Sequence, residues 1–434
     1  MAIPCKLFVV AFAVALMLGG CATPNASSPN PPAETRTVPL MVFGEPAEKA
    51  AYEALIAAFH MEHPDIRVTL IHIPSQRDYQ RRLSADFAAG TPADLVLINY
   101  RRYANFAARG VLHPINDYLN TTPDLSLNDF YQPALAPFYW QNELMCMPQN
   151  LSSLVVYYNR DLFDQAGIAY PTDDWTWDDF LRTAQALTRD LDGDGQTDQH
   201  GLGTDPSLFR VAPFIWQNNG DLVNNPSNPT RLSLDDPQSR AAVAWFVELQ
   251  TVHRVVPDAI AEQAENSESR FLNGRLAMFL NSRRGVPTYR TITDFDWDVA
   301  PLPQGLRRAG ILHSDAYCMT TATQDKDAAW QFIAYAVSDE GQRLMSQSGR
   351  IVPSRKAVAE SPAFLDPQAK PASSHIFIGH IEDIRAVPVM STWVDIEEIV
   401  GKEIERAFYG QVSVDEAIST AIINSQEYFE LAAR

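Results

Sequence analysis

Apolar residues between positions 40 and 98 recur with two alternating periods. The segments 40–43, 66–73 and 94–98 are short runs rich in branched residues, which is typical of buried strands. Two intervening segments carry apolar residues at helical spacing: Tyr52, Leu55, Ile56 and Phe59 in the first, and Tyr79, Leu83 and Phe87 in the second. Strands that alternate with amphipathic helices predict an α/β fold with a parallel sheet, in which ligands bind beyond the carboxyl ends of the strands.

The first 38 residues follow a different pattern. Residues 7–18 form an apolar run behind Lys6 that is too short to span a membrane and is typical of a signal-peptide core. The sequence LGGC at 18–21 resembles a lipobox, so we expect cleavage before Cys21 and lipidation of that cysteine; ordinary signal-peptidase cleavage is the alternative. The pattern therefore predicts a signal peptide over 1–20 and a lipid-anchored flexible tether over 21–38, rich in Pro, Ser, Asn and Thr.

Composition narrows the class of protein. The part of the 434-residue chain that follows the tether is longer than one core usually supports, which predicts two lobes. The formal net charge of −19 argues against nucleic acid or anionic lipid as the main partner. No nucleophile elbow, HExxH, Walker loop or dinucleotide glycine fingerprint occurs, so we expect no enzyme activity.

Two cysteines lie beyond the leader. In an exported protein Cys146 and Cys318 can form a disulfide, or they can remain two buried thiols on separate strands. Sequence spacing does not show whether their Cα atoms meet, so both alternatives stay open.

Several segments in the same order resemble one family. These are GTPADLVLINYRRYANFAARGVLHPI at 90–115, VVYYNRDLFDQAG at 155–167, RFLNGRLAMFLNSRR at 270–284 and FDWDVAPLPQG at 295–305. They resemble the extracellular solute-binding proteins of ABC importers, of the sugar-binding, maltose-binding-protein-like type, and the resemblance covers nearly all of residues 38–430. Within this stretch Trp175 and Trp177 flank the helix cap Thr176, and we expect both rings to serve packing.

The resemblance implies a two-lobe periplasmic-binding-protein fold of type II, with discontinuous lobes joined by a hinge and a ligand cleft between them. The lobes are expected at residues 39–148 with 312–362 and at residues 149–311 with 363–434. It further implies a monomeric, exported protein that captures a carbohydrate, either an oligosaccharide or a sugar derivative, by hinge closure and delivers it to the permease subunits of an ABC importer. The alternatives are a ligand-reporting subunit of a sensor system and a secreted carbohydrate-active enzyme.

The resemblance also nominates ligand-binding residues. Aromatic faces pack on the apolar faces of a sugar ring, while charged and amide groups bind its hydroxyls. The aromatic candidates are Tyr100, Trp216, Tyr317 and Trp393, and the polar candidates are Glu45, Arg101, Asn281, Arg284 and Asp315. For each residue a core or surface role is the alternative. Arg101, Arg283 and Arg284 together raise the hypothesis that the ligand carries a carboxylate, sulfate or phosphate group.

An aspartate-rich loop follows the helix after Thr176. Asp190, Asp192, Asp194 and Asp198 occupy positions 1, 3, 5 and 9 of an EF-hand-like loop, and Gln196 offers a backbone carbonyl. Position 12, normally a bidentate Glu, is Gly201. The loop therefore predicts either a structural calcium site or an Asp/Gly turn whose side chains cap backbone amides. No cofactor is expected to be required.

Overall fold

The computed structural model describes residues 35–433. The predicted signal peptide, the lipidation site Cys21 and most of the predicted tether lie outside this range. Among the residues it covers, none of the helices is both long enough and apolar enough to cross a membrane.

Thirteen strands and eighteen α-helices are found in the described residues. The strands are β1 (Arg36–Phe43), β2 (Ile66–Ile73), β3 (Leu95–Asn99), β4 (Tyr139–Trp140), β5 (Glu143–Leu144), β6 (Cys146–Pro148), β7 (Leu154–Asn159), β8 (His200–Gly203), β9 (Leu276–Ser282), β10 (Trp297–Ala300), β11 (Gly310–Ile311), β12 (Asp315–Met319) and β13 (Ile384–Arg385). The helices are α1 (Pro46–Glu62), α2 (Gln76–Ala89), α3 (Tyr100–Ala108), α4 (Asn116–Asn120), α5 (Gln132–Leu135), α6 (Arg160–Ala166), α7 (Trp177–Leu187), α8 (Leu208–Gln217), α9 (Pro237–Thr251), α10 (Ala259–Ala264), α11 (Ser267–Leu272), α12 (Val286–Tyr289), α13 (Lys326–Ala336), α14 (Asp339–Ser346), α15 (Lys356–Ala359), α16 (Ile376–Gly379), α17 (Trp393–Phe408) and α18 (Val414–Ala432). Short 3₁₀ turns occur at Leu127–Asp129, Ala136–Phe138, Arg283–Gly285 and Ile381–Asp383.

The first sheet has the order β2-β1-β3-β12-β6. Its strands β1, β2 and β3 are parallel, whereas β12 runs antiparallel to both β3 and β6. The predicted stripe of α1 is buried, with Tyr52, Leu55 and Phe59 fully inaccessible to solvent. This confirms the α/β pattern that hydrophobic periodicity predicts for the first hundred residues.

The strand β1 begins earlier than the sequence predicts. Val38 is fully buried, and the Arg36 guanidinium donates to the Asp325 carboxylate at 2.6 Å. Residues 36–38, which composition assigns to the tether, therefore belong to the sheet. Composition failed here because Arg36 resembles a linker residue until its partner Asp325, some 290 positions later, is known.

The second sheet has the order β10-β7-β9-β8, and all of β7 is buried. Thr176 and Asp179 form the capping box that starts α7. Trp175 donates its indole N–H to the Pro301 carbonyl at 3.0 Å, and Trp177 stacks on Trp245 with ring centroids 4.3 Å apart. The prediction that both tryptophans serve packing is confirmed.

The chain crosses twice between the sheets, from β6 to β7 and from β10 to β12. Cys146 in β6 and Cys318 in β12 lie in register and form a disulfide, with Cα atoms 4.4 Å apart. The bridge that the sequence left open is therefore present. The first sheet draws its strands from residues 36–148 and 315–319 and the second from 154–300, while the exact boundaries of the two lobes stay a prediction.

Candidate functional site

A cleft lies between the two sheets. Phe43 and Asn99, the last residues of β1 and β3, line one side of it, and Asn281 and Ser282 at the end of β9 line the other. This part of the cleft encloses about 310 Å³. Its charged lining residues are Arg101, Asp205, Arg210, Arg284, Asp315, Arg350 and Glu397, and we call it the arginine compartment.

A second compartment of about 400 Å³ adjoins the first and shares Asp205, Arg210, Asn281 and Arg284 with it. We call it the carboxylate compartment, because three further carboxylates line it: Glu45, Glu262 and Glu268. Glu262 accepts from the amide and the hydroxyl of Ser267 at 2.8 and 2.7 Å. Charged side chains thus line both compartments, with four guanidinium groups and three carboxylates in the first and two guanidinium groups and four carboxylates in the second.

Arg101 is held on two sides. Its guanidinium pairs with the Glu397 carboxylate of α17 and lies 4.3 Å from the centre of the Phe209 ring. The Phe209 ring also lies beside the His313 imidazole, with ring centroids 4.4 Å apart.

Arg350 and Glu48 form a buried ion pair at the wall of the arginine compartment. Their side chains are only 8% and 6% exposed. Burial raises the pKa of the Glu48 carboxyl to about 7, against the attraction of Arg350, and burial likewise lowers the pKa of Arg350. Both pKa shifts have the same cause. The free-energy cost of removing the two charges from water exceeds the free energy gained from their attraction.

Two buried polar atoms at the arginine compartment have no partner among the described residues. They are Nε of Arg210 and Nε2 of His313. Burial, followed by the nearby guanidinium groups of Arg210, Arg101 and Arg284, holds the pKa of His313 well below its ordinary value. Since an unpaired buried polar group costs about 1–3 kcal/mol, these atoms favour a polar ligand in this compartment.

Side chains from the two sides also touch across the cleft. Arg284, which follows β9, donates to the Gln76 amide oxygen at the start of α2 at 3.2 Å. Thr288 of α12 lies 3.5 Å from the Glu45 carboxylate, which precedes α1. Together with the Arg101–Glu397 pair, these contacts connect the two sides of the cleft.

Five polar residues nominated from the sequence line the cleft. Arg101, Asn281, Arg284 and Asp315 lie in the arginine compartment, and Glu45 lies in the carboxylate compartment together with Asn281 and Arg284. Asp315 accepts from the Asn99 amide at 3.0 Å and has no cation within salt-bridge distance among residues 35–433. Contact of these residues with a ligand stays a prediction.

The four aromatic candidates do not line the cleft, and this corrects the sequence-based assignment. Tyr100, Trp216, Tyr317 and Trp393 are at most 1% exposed. The Tyr100 hydroxyl meets the Val387 amide, and the Tyr317 hydroxyl accepts from the Gln149 amide. A large apolar ring gains more free energy from complete burial than from contact through one face. These rings therefore pack in the core.

Trp216 and Arg283 also have specific partners, whereas the indole N–H of Trp393 is buried without a hydrogen-bond partner among the described residues. The Trp216 ring lies under the Arg385 guanidinium, and its indole N–H donates to Asp221 at 3.2 Å. Arg283 donates to the Gly349 carbonyl and the Ser374 hydroxyl, so it cannot belong to an arginine set that faces the ligand.

Sequence reasoning missed Phe209, Arg210, His313, Arg350 and Glu397. A signal existed for Arg210, because it is the one charged residue within the apolar segment LFRVAPFIW that follows β8. Residues just beyond the carboxyl end of a strand are the place to look for ligand contacts. Nothing local marks Arg350 and Glu397, since their partners Glu48 and Arg101 are about 300 residues away.

The aspartate-rich loop forms a compact turn on the surface. Carboxylate oxygens of Asp190, Asp192 and Asp194 lie within 4.8 Å of one another. The Asp190 carboxylate accepts from the amides of Gly195 and Gly193 at 2.8 and 2.7 Å, and these bonds lower its pKa. The loop therefore has the side-chain hydrogen bonds to backbone amides that are expected of an Asp/Gly turn. It also brings together the oxygen ligands that a hard cation prefers.

Comparisons with known proteins agree with this architecture. The chain is 22% identical over 377 residues to a putative binding protein of Brucella abortus, covering 85% of this chain and 87% of that one. It is 20% identical over 381 residues to a galactooligosaccharide-binding protein of Bacillus subtilis, covering 85% of each chain. An ABC substrate-binding protein from Listeria monocytogenes, solved in complex with cycloalternan, superposes with a TM-score of 0.83 at 22% identity, covering 91% of this chain and 99% of that one.

The solved structure fixes the fold class as the two-lobe α/β fold of periplasmic sugar-binding proteins, as the sequence predicts. The model of one family, described as bacterial extracellular solute-binding protein, matches residues 44–343. This chain is a member of the bacterial extracellular solute-binding protein family.

Proposed function

We propose that this protein captures a carbohydrate outside the cytoplasmic membrane and delivers it to the permease of an ABC importer. The observation that carries the proposal is the polar cleft between the two sheets, in which Nε of Arg210 and Nε2 of His313 are buried without partners. Relatives of this fold are named for galactooligosaccharide binding or were solved with cycloalternan, which supports a carbohydrate as the ligand. The matched family consists of binding proteins, and we propose no chemical step.

Ligand capture requires both sides of the cleft. Asp315 supplies an acceptor from the first sheet, while Arg210 and Asn281 supply donors and acceptors from the second. A sugar whose hydroxyls bridge these groups binds the closed arrangement more tightly than an open one, so it shifts the population toward closure. The crossovers between the sheets, at Asn150–Ser152 and His313, are where such a motion is expected to bend the chain.

A specific sugar should raise the unfolding temperature, because a ligand that binds only the native state stabilises it in proportion to the logarithm of its concentration over Kd. We expect Asp315→Asn to weaken sugar binding about tenfold or more, since a charge-assisted hydrogen bond contributes roughly 1.5–3 kcal/mol. The measurement is thermal shift against mono- and oligosaccharides, followed by calorimetric titration of the best sugar.

The matched control is Asp294→Asn, which makes the same change at an exposed position away from the cleft. It should leave affinity unchanged. If amino acids or metal ions shift the unfolding temperature and no sugar does, the proposed function is wrong.

We also propose export by the predicted signal peptide and membrane attachment through lipidated Cys21. The expected support is incorporation of labelled palmitate into the full chain, lost in Cys21→Ala. The family to which the chain belongs is extracellular, which is consistent with this proposal.

For the aspartate-rich loop we propose a structural calcium ion held by Asp190, Asp192, Asp194, Asp198 and the carbonyl of Gln196. The convergence of the first three carboxylates supports it. The ion would replace mutual carboxylate repulsion with attraction and would stiffen the edge of the second sheet. Because position 12 is Gly201, we expect affinity in the range of extracellular modules, roughly 10⁻⁴–10⁻³ M.

At several millimolar Ca²⁺ the native state should gain about 1–2 kcal/mol, seen as a higher unfolding temperature. The variant carrying Asp190→Asn, Asp192→Asn and Asp194→Asn should lose this gain. An equal gain with Mg²⁺, or a gain that survives in the triple variant, would contradict the calcium proposal.

A further inference from the structure

The arginine compartment is lined by four arginines and three carboxylates. This balance differs from that of the whole chain, in which acidic residues outnumber basic ones by 53 to 34. No lysine is among the residues that line it. Guanidinium groups present a planar fork that matches a carboxylate or a phosphate, whereas an ammonium acts as a point charge. The choice of arginine therefore indicates recognition of a planar or multidentate acceptor.

The four guanidinium groups differ in how far they are already neutralised. Arg350 is paired with buried Glu48, and Arg101 is paired with Glu397. Arg210 contacts Asp205 at 3.0 Å, but that carboxylate is 59% exposed and leaves Nε of Arg210 without a partner. Arg284 bonds only the neutral amide of Gln76 and has no carboxylate within salt-bridge distance in the part of the chain that the structure describes. Arg284 is therefore the lining arginine without a carboxylate partner among the described residues, and Arg210 retains an unpaired Nε donor.

His313 identifies where this charge converges. The nearby charges that act on its imidazole are the guanidinium groups of Arg210, Arg101 and Arg284, and its Nε2 atom is buried without a partner. An anionic oxygen at this point would compensate the guanidinium groups and could pair with Nε2. Asp315 lines the same compartment, and its carboxylate accepts a hydrogen bond from the Asn99 amide at 3.0 Å.

We propose that the ligand is an acidic sugar whose carboxylate or phosphate group binds between Arg210, Arg284 and His313, an inference that rests on the proposed carbohydrate-binding function. The carboxylate compartment then orients the ligand. Glu45, Glu262 and Glu268 repel a second anion and offer acceptors to hydroxyl groups. The acidic end of the sugar enters the arginine compartment, and its neutral remainder extends along the carboxylates.

The test is calorimetric titration with sugars in matched pairs: galactose with galacturonate, glucose with glucuronate, and glucose with glucose 6-phosphate. Neutral maltotriose and raffinose complete the panel. At least one acidic member should bind ten times or more tightly than its neutral partner, and its affinity should fall as salt rises. Preference for the uronates indicates that the anionic group is a carboxylate, and preference for glucose 6-phosphate indicates that it is a phosphate.

Arg284→Gln should reduce the affinity for the acidic sugar roughly 10- to 100-fold, since a hydrogen bond to a charged group contributes about 1.5–3 kcal/mol, and should reduce the affinity for the neutral partner less, so that the ratio of the two affinities falls. This variant should fold, because replacing Arg284 leaves no carboxylate among the described residues without a salt-bridge partner. Arg284→Lys keeps the positive charge but lacks the planar guanidinium group, and it should recover part of the lost affinity. The control Arg182→Gln removes an exposed arginine of α7 and should change nothing.

Three outcomes separate the two proposals. Neutral sugars that bind as tightly as their acidic partners would overturn the acidic-sugar inference and leave the proposed function intact. Acidic preference that survives in Arg284→Gln would place the anion elsewhere and overturn the inference as well. If no sugar of either kind binds, the proposed function itself is wrong.

Discussion

Replacing Arg350 with methionine should destabilise the folded protein, and the loss should be about 1–2 kcal/mol larger at pH 8 than at pH 5, because Glu48 loses the cation that stabilises its charged form. Glu48 and Arg350 are both less than one tenth exposed, so water cannot take over the role of the lost guanidinium. The measurement is denaturant unfolding of the wild type and Arg350→Met, followed by fluorescence and extrapolated to water.

The loss of stability in Arg350→Met should depend on pH, and its sign follows from Glu48. Burial raises the folded-state pKa of this carboxyl from 4.5 to about 7 even with Arg350 present, and removing Arg350 raises it further. The folded state therefore binds the Glu48 proton more tightly than the unfolded state does. Stability that depends on this proton is present at low pH and is lost as pH rises from about 4.5 through the folded-state pKa.

It follows that the difference in the free energy of unfolding between wild type and Arg350→Met is small at pH 5, where Glu48 is neutral in both proteins. This difference grows above pH 7. The double variant Glu48→Gln with Arg350→Met should recover most of the loss and remove its pH dependence. Arg343→Met, which breaks the exposed pair with Glu340, should cost less than about 1 kcal/mol. A loss of stability that is equal at pH 5 and pH 8 would show that lost packing, and not the charge of Glu48, causes the destabilisation.

The second large effect concerns the disulfide. Replacing Cys146 and Cys318 together with alanine should cost about 2–5 kcal/mol, because the bridge joins positions 172 residues apart and restricts a large loop in the unfolded chain. Both sulfurs lie in fully buried residues on neighbouring strands, so reductant alone should act slowly on the native protein. The measurement is denaturant unfolding of oxidised wild type, wild type unfolded in reductant, and the double variant.

Oxidised wild type should be the most stable of the three, and the other two should agree with each other. Alkylation of the denatured, unreduced protein provides the control, since peptides that contain Cys146 and Cys318 should remain unmodified. Two alkylated cysteines at these positions, together with equal stability of wild type and double variant, would show that the thiols remain free.

The periodic positions predicted the secondary structure of this protein because they report local geometry. The stripe of Tyr52, Leu55 and Phe59 predicted α1 and its buried face, and Thr176 with Asp179 predicted the start of α7. A family pattern distributed over most of the chain predicted the two-lobe fold, since that order of elements occurs in the family as a whole.

The cleft was only partly predictable. Glu45, Arg101, Asn281, Arg284 and Asp315 were nominated by their positions in segments that resemble the family, and all five line the cleft within two residues of a strand end. The aromatic candidates failed for a physical reason. A tryptophan such as Trp393 reads identically in sequence whether its ring faces a cleft or the core, and here its side chain is completely buried.

By itself, therefore, the sequence determined the helices, the strands, the two-lobe architecture and the polar candidates at the strand ends, because these depend on local spacing and on the order of elements along the chain. Only the tertiary structure decided that Cys146 meets Cys318, that Glu48 neutralises Arg350, and that Arg210 and His313 keep unpaired atoms at the cleft. Those features depend on distances between groups that are remote in the chain. Burial and pairing, which set the charge and the free hydrogen-bonding capacity of a site, are properties of the folded arrangement.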